Sequence, residues 1–231
     1  MPGFSEQRPM VIPRWGFTLK EVSQMLRDTI VNYAGDGKVV LVVHDWGSYF
    51  GFVYCEEYPE SVDKFVTLDI GLSTPKDLTL KEKLVDLSYK GLLALAFVFR
   101  AVGLPTFGAL MVGLYPWSLL GPCPKETAVP PRTKRYFSEA KDGFDVAMCY
   151  PYAQLFRGLF NGSLKRPQHP LMPTLFLYGT KKRMMFHSSA FLRTLESKND
   201  GSKHKALTCG HFIQAQQPQE AIHGIKQFLQ Q

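Results

Sequence analysis

The stretch 41-LVVHDWGSYFGFVYCEEYP-59 decides the fold. An apolar run, Val39 to Val43, halts at the pair His44-Asp45, and Trp46, Gly47 and Ser48 follow. A short run of branched residues without polar alternation reads as a parallel strand buried on both faces, here Lys38–His44. Gly47–Glu57 then reads as a helix packed on that strand. A strand that enters a helix through a tight turn lifts one side chain clear of the sheet, and small neighbours let the backbone bend. Asp45 is the raised residue, and Gly47 and Ser48 are the small neighbours. Backbone N–H groups at a helix N-terminus favour negative charge there. A carboxylate so placed can attack an electrophilic carbon and form an ester. It can equally serve as a plain helix N-cap, and this stretch alone leaves both readings open.

Working outward, Thr18–Tyr33 predicts a helix. Thr18 and Glu21 form a capping box, and Leu19, Val22, Leu26 and Ile30 share one apolar face. Downstream, Phe65–Asp69 reads as a second strand, Thr174–Tyr178 as a third, and Lys203–Thr208 as a weaker fourth. Pro218–Leu229 is the last helix. Strands alternating with helices imply an α/β fold with a parallel, doubly wound sheet. Roughly a hundred residues separate the second and third strands, far too many for a loop. Residues 72–170 therefore read as an inserted, mostly helical cap, and residues 1–71 and 171–231 as the α/β core.

A second polar signal lies near the C-terminus. His211 follows the weak fourth strand and a glycine in "LTCGHFIQAQQPQEAIHGIKQFL". A nucleophile first and a histidine last is the chain order of the strand–turn–helix hydrolase template. His169, His187, His204 and His223 have no spacing that implies a metal site.

The bulk numbers narrow the function classes. The chain has 231 residues, 45% of them hydrophobic, and 20% charged, which is globular rather than disordered composition. Its net charge of +7 is scattered, in short clusters such as Lys181-Lys182-Arg183, with no nucleic-acid-binding signature beside it. The four cysteines, Cys55, Cys123, Cys149 and Cys209, include no CxxC pair, so zinc is not expected. Sparse cysteines in a chain of this length read as reduced and cytoplasmic, and "MPGFSEQRPMVIPRW" lacks the apolar core of a signal peptide. Ala101–Cys123 carries no charge but is interrupted by Pro105, Pro116 and several glycines. It reads first as a lid or core element, then as a peripheral membrane contact, and last as a span.

Together, "VVHDWGS", "YPESVDKFVTLD", "PTLFLYGTK" and "GHFIQAQQPQEAIHGIKQFL" resemble the α/β-hydrolase superfamily, in the Asp-nucleophile branch of epoxide hydrolases and haloalkane dehalogenases. "PGFSEQRP" and "FTLKEVSQMLRDTI" look like that branch's segment before the nucleophile. The resemblance implies an α/β-hydrolase fold with an inserted helical cap. It implies Asp45 as nucleophile and His211 as base. A small apolar substrate, an epoxide or an alkyl halide, is implied too, with no cofactor and no metal.

The sequence departs from this pattern in three places. The family usually places the acid that orients its histidine after the penultimate strand, where this chain has "YGTKKRMM". A lysine cannot accept an imidazole N–H. Some dehalogenases carry the acid one strand earlier, where "TLDIG" puts Asp69, the candidate here. The family also starts with strands before "PGFSE", one of them followed by a His-Gly segment that helps form the oxyanion hole. No such segment appears here, so an N-terminally truncated sheet with one bare edge is expected. Finally, Val43 stands where many relatives have glycine, although some dehalogenases carry valine there.

Substrate choice rests on fewer residues. Trp46 offers an indole N–H, which in dehalogenases holds the departing halide, but epoxide hydrolases often carry it too. Epoxide opening needs hydroxyls facing the nucleophile, which the family supplies from two cap tyrosines. Candidates are Tyr150, Tyr152 and Tyr115. Trp117 as a second halide holder would favour dehalogenation. The reading is an epoxide hydrolase-like enzyme, with haloalkane dehalogenase as the alternative. A catalytically impaired binding protein on a truncated hydrolase fold is the rival from another class.

Overall fold

The computed structural model describes residues 2, 10–73, 77–115, 145–182 and 184–231. In chain order the main elements are α1 (Leu19–Ala34), β1 (Val39–His44), α2 (Trp46–Glu57), β2 (Val62–Leu68), α3 (Leu80–Ala101), α4 (Pro105–Leu114), α5 (Tyr150–Phe160), β3 (Thr174–Gly179), α6 (Ser189–Ser197), β4 (Lys203–Leu207), α7 (Ile213–Gln216) and α8 (Pro218–Leu229).

The described strands form one sheet in the order β1-β2-β3-β4, parallel throughout. The register places His44 opposite Leu68, Leu68 opposite Leu177, and Gly179 opposite Leu207. All four strands therefore end at the same edge of the sheet, with β3 and β4 running two residues beyond β1 and β2. Successive strand side chains point to opposite faces, and each face builds its own core. Phe65 and Phe176 pack with Ile30 of α1, Phe52 of α2, and Phe191 and Leu195 of α6. Val66, Leu68, Leu175 and Leu177 pack with Ile213, Ala221 and Phe228. Helices thus cover both faces, as a parallel sheet requires.

Two compact units emerge. Among the described residues, one comprises residues 2, 10–25, 78–115 and 145–165, and the other residues 26–73, 77, 166–182 and 184–231. The first is helical in its described parts. Its longest helix, α3, starts with a capping box between Thr79 and Glu82 and buries Leu93, Ala96, Phe97 and Ala101 along one side. Close packing shows at Gly16, whose φ of 73° favours glycine and where an added Cβ would meet Tyr150 Cβ at 2.6 Å. The second unit holds the sheet. Helix α1 runs unbroken through the boundary, opened by Thr18, whose hydroxyl accepts the Glu21 N–H at 3.2 Å while Glu21 accepts from the Thr18 N–H at 2.7 Å.

Among the described residues no helix is long and apolar enough to cross a membrane. Of the uncharged stretch 101–123, α4 and Tyr115 are described, and residues 116–123 lie outside the described set. Cys55, Cys149 and Cys209 are buried free thiols, and Cys123 also lies outside it.

Candidate active site

Because the strands are parallel and end at one edge, the residues that follow β1, β2 and β4 gather at one end of the sheet. Asp45 is the single residue between β1 and α2. Its backbone sits at φ 54°, ψ −127°, a sparsely populated conformation that costs about 1–3 kcal/mol and persists only where the surroundings enforce it. The enforcement is the β1–turn–α2 connection, with Ser48 N–H donating to the Asp45 carbonyl at 2.9 Å and the Ser48 side chain wholly buried. The Asp45 side chain makes no capping bond to its own helix. It is 47% exposed and free to face a reactant.

Asp69 follows β2 and is also left-handed, at φ 66°. Thr67 holds that turn by donating its hydroxyl to the Ile70 carbonyl at 2.6 Å. The Asp69 carboxylate is fully buried and accepts three donors. Oδ1 takes the Gly179 N–H at 2.9 Å and Lys182 Nζ at 2.5 Å. Oδ2 takes His211 Nδ1 at 2.7 Å. Burial by itself pushes the Asp69 carboxyl up, but His211 and Lys182 together outweigh it and hold the group below the usual carboxylate range.

With Nδ1 donating to Asp69, His211 turns Nε2 toward Asp45, 3.8 Å from Oδ1. That gap is too long for a hydrogen bond. The ring is steadied from one side by His44, at 4.5 Å between centroids. Since a carbonyl only accepts, His44 Nε2 carries the proton it gives to the His211 carbonyl at 3.1 Å, and its Nδ1 faces Gln214 Nε2 at 3.4 Å. Burial, then the neighbouring His211, push the His44 ring toward its neutral form. The loop carrying His211 presses onto Gly179, where a Cβ would come within 2.6 Å of the Cys209 carbonyl. Only glycine fits at that contact.

The remaining predicted residues make the following contacts. Trp46 opens α2, half-buried, with its ring edge-on to Tyr49 at 6.1 Å. Tyr115, Tyr150 and Tyr152 belong to the helical unit. Tyr150 is wholly buried, with its hydroxyl 3.5 Å from the Pro2 carbonyl. Tyr152 lies edge-on to Tyr89, and the Tyr115 hydroxyl is 2.7 Å from Ser88 Oγ. Trp117 lies outside the described residues. The sequence did not reveal that Lys182 would serve Asp69 or that His44 would brace His211. Among the described residues no group of three His, Cys, Asp or Glu side chains could hold a metal ion.

A family model described as alpha/beta hydrolase fold matches residues 3–218. The chain belongs to that family. Among curated proteins it is similar to Epoxide hydrolase 1 of Caenorhabditis elegans, at 23% identity over 223 residues, 92% of this chain and 53% of that one. The chain thus spans about half the length of that relative. Among solved structures it resembles a mutant Bacillus megaterium epoxide hydrolase complexed with its diol product. There the TM-score is 0.66 at 19% identity, covering 96% of this chain and 80% of that one. It also resembles a laboratory-evolved variant of potato epoxide hydrolase, with a TM-score of 0.63 at 16% identity, covering 94% and 78%. At such identities the structural likeness speaks for the fold.

Proposed function

We propose that this chain is an epoxide hydrolase-like enzyme acting through an alkyl-enzyme ester on Asp45. The observation that carries the reading is the line Asp69–His211–Asp45. Its Nδ1–Oδ2 distance of 2.7 Å fixes the imidazole tautomer, and its 3.8 Å gap lies between Nε2 and the nucleophile.

In the first step an Asp45 oxygen attacks one ring carbon of an epoxide. The C–O bond to the ring oxygen breaks, and that oxygen takes a proton from a hydroxyl group, a tyrosine's by the family resemblance. In the second step His211 Nε2 removes a proton from water, which attacks the ester carbonyl carbon of Asp45. The backbone N–H of Trp46, first residue after the nucleophile, is the elbow's donor to the oxyanion. Asp69 holds the imidazole in the tautomer that leaves Nε2 as acceptor and stabilises the imidazolium that forms. Collapse of the tetrahedral intermediate releases the diol and restores Asp45.

The two steps separate by mutation. His211→Gln should allow attack and block hydrolysis, so a reactive epoxide should leave a stable adduct, visible by intact mass and mapped to Asp45 by peptide analysis. Asp45→Asn should abolish it. An alkyl halide that labels Asp45 where epoxides do not would replace epoxide opening by dehalogenation. No adduct from either, on this chain or on one extended at its N-terminus with the family's preceding strands, would leave the binding-protein reading.

A further inference from the structure

Lys182 is a buried cation that the two-step scheme does not use. Its side chain is 4% exposed, and its Nζ sits on the oxygen of Asp69 that His211 leaves alone. Burying an ion pair costs desolvation, and apolar residues of similar volume often stabilise a fold equally well. Packing therefore gives no reason for an ammonium here, and its consequence has to be sought in the charge it brings to the site. Burial works against that charge, while Asp69 works to keep it.

A lone buried carboxylate draws a proton onto the imidazole beside it, and a carboxylate shared with an ammonium draws less. We infer that Lys182 is a positioning residue that occupies Oδ1 of Asp69 and balances the carboxylate's charge beside the His211 ring. Its meaning for turnover rests on the proposed function, whereas its effect on the ring does not. The other titratable groups facing this cluster are few. His44 stacks beside His211 and is pushed toward its neutral form by burial. Asp45 faces Nε2. His187, pushed down to about 4 mainly by burial, and the Cys209 thiol, pushed up to about 11 by burial, carry no charge near pH 6. Lys181 acts on Cys209 from beyond it. None of these replaces the charge of Lys182.

Diethylpyrocarbonate acylates only unprotonated imidazole, so its site-resolved rate reads the ring directly and needs no turnover. Lys182→Met should slow labelling of His211 at pH 6 by about twofold to tenfold, tenfold being the ceiling for a one-unit shift, and change it little at pH 8.5. His223, exposed on α8, is the internal standard. Lys182→Gln, which keeps an N–H donor without the charge, should behave like Met, and Lys182→Arg should keep the parent rate. Mere loosening of the site would expose the ring and speed labelling at both pH values, the opposite sign. Labelling at the parent rate or faster at pH 6 in the neutral variants overturns the inference. So does failure of both neutral variants to fold, which would make Lys182 a structural cation only. If labelling follows expectation while no substrate marks Asp45, the proposed function fails and the charge balance stands. An adduct on Asp45 with labelling unmoved is the reverse.

Discussion

Asp69 shows how much one residue can be asked to do. Its backbone is left-handed, its side chain has no exposed surface, and its two oxygens face two different bases. Asp69→Asn keeps the shape but replaces an ionised acceptor by an amide. On the proposed mechanism the ester-hydrolysis step should then fall by about 10⁴-fold, as amide replacement does in triads of this logic, while adduct formation with a reactive epoxide persists. Stopped-flow or mass-resolved decay of the adduct checks the split. Sequence reasoning proposed Asp45 and Asp69 because each stands at the end of an apolar run, where a polar residue needs a reason, and His211 because it comes last in the chain order of the hydrolase template. Lys182 escaped the same reasoning. That a lysine cannot take the imidazole N–H is correct, but the question that mattered was what else a carboxylate at residue 69 would accept, and side-chain reach across two strands is not written in spacing.

His187 makes a second residue-scale case. Its ring lies 4.4 Å from Tyr178 and 5.0 Å from Phe176, and its buried Nδ1 has no partner among the described residues. With the folded value near 4 and the unfolded one near 6.5, the unfolded chain binds more protons between those limits. Stability therefore falls as pH drops from about 6.5 to about 4. His44, also shifted downward, adds to the loss with the same sign. The depressed carboxyl of Asp69 acts lower still, since its contribution is lost only below the usual carboxylate value. His187→Phe should flatten the decline in melting temperature between pH 6.5 and 4, measured by calorimetry across that range.

Among elements, the two edges of the sheet contrast. β4 carries Lys203, His204 and Lys205, with Lys205 paired to Glu220 and His204 to Glu196, and edge lysines discourage pairing with another chain. Among the described residues β1, Val39–His44, carries no lysine. Val40 and Val42 are 41% and 47% exposed, and among the described strands β1 pairs only with β2. Val42→Lys should lower concentration-dependent association of the chain, read by light scattering, and leave its circular dichroism unchanged. The strands themselves were legible to within three residues at either end, because branched apolar runs bounded by glycine and charge admit little else. The helices between residues 72 and 170 were visible only as patches. α3 and α4 lack a clean polar face, and α6 is a short helix whose Ser188 cap is unremarkable among neighbouring serines.

At the scale of the whole molecule, the chain divides into two units, each with its own buried aromatic centre. Phe97 is 1% exposed in α3 of the helical unit, and Phe176 is wholly buried in β3 of the sheet unit. Truncating a buried phenylalanine to alanine costs about 3–5 kcal/mol through lost transfer and the cavity left behind. Where that cost is felt depends on whether the units share one cooperative transition. Separate cores favour opening in separate steps, as cooperative segments often coincide with such units. Phe97→Ala should therefore strip amide-exchange protection from α3, α4 and α5 while β1–β4 keep most of theirs. Phe176→Ala should lower protection across the sheet and the helices packed on it, α2, α6 and α8. Equal loss in both units from either substitution would mean a single cooperative block, with the Asp69–His211–Asp45 line unable to outlast the helical unit on heating.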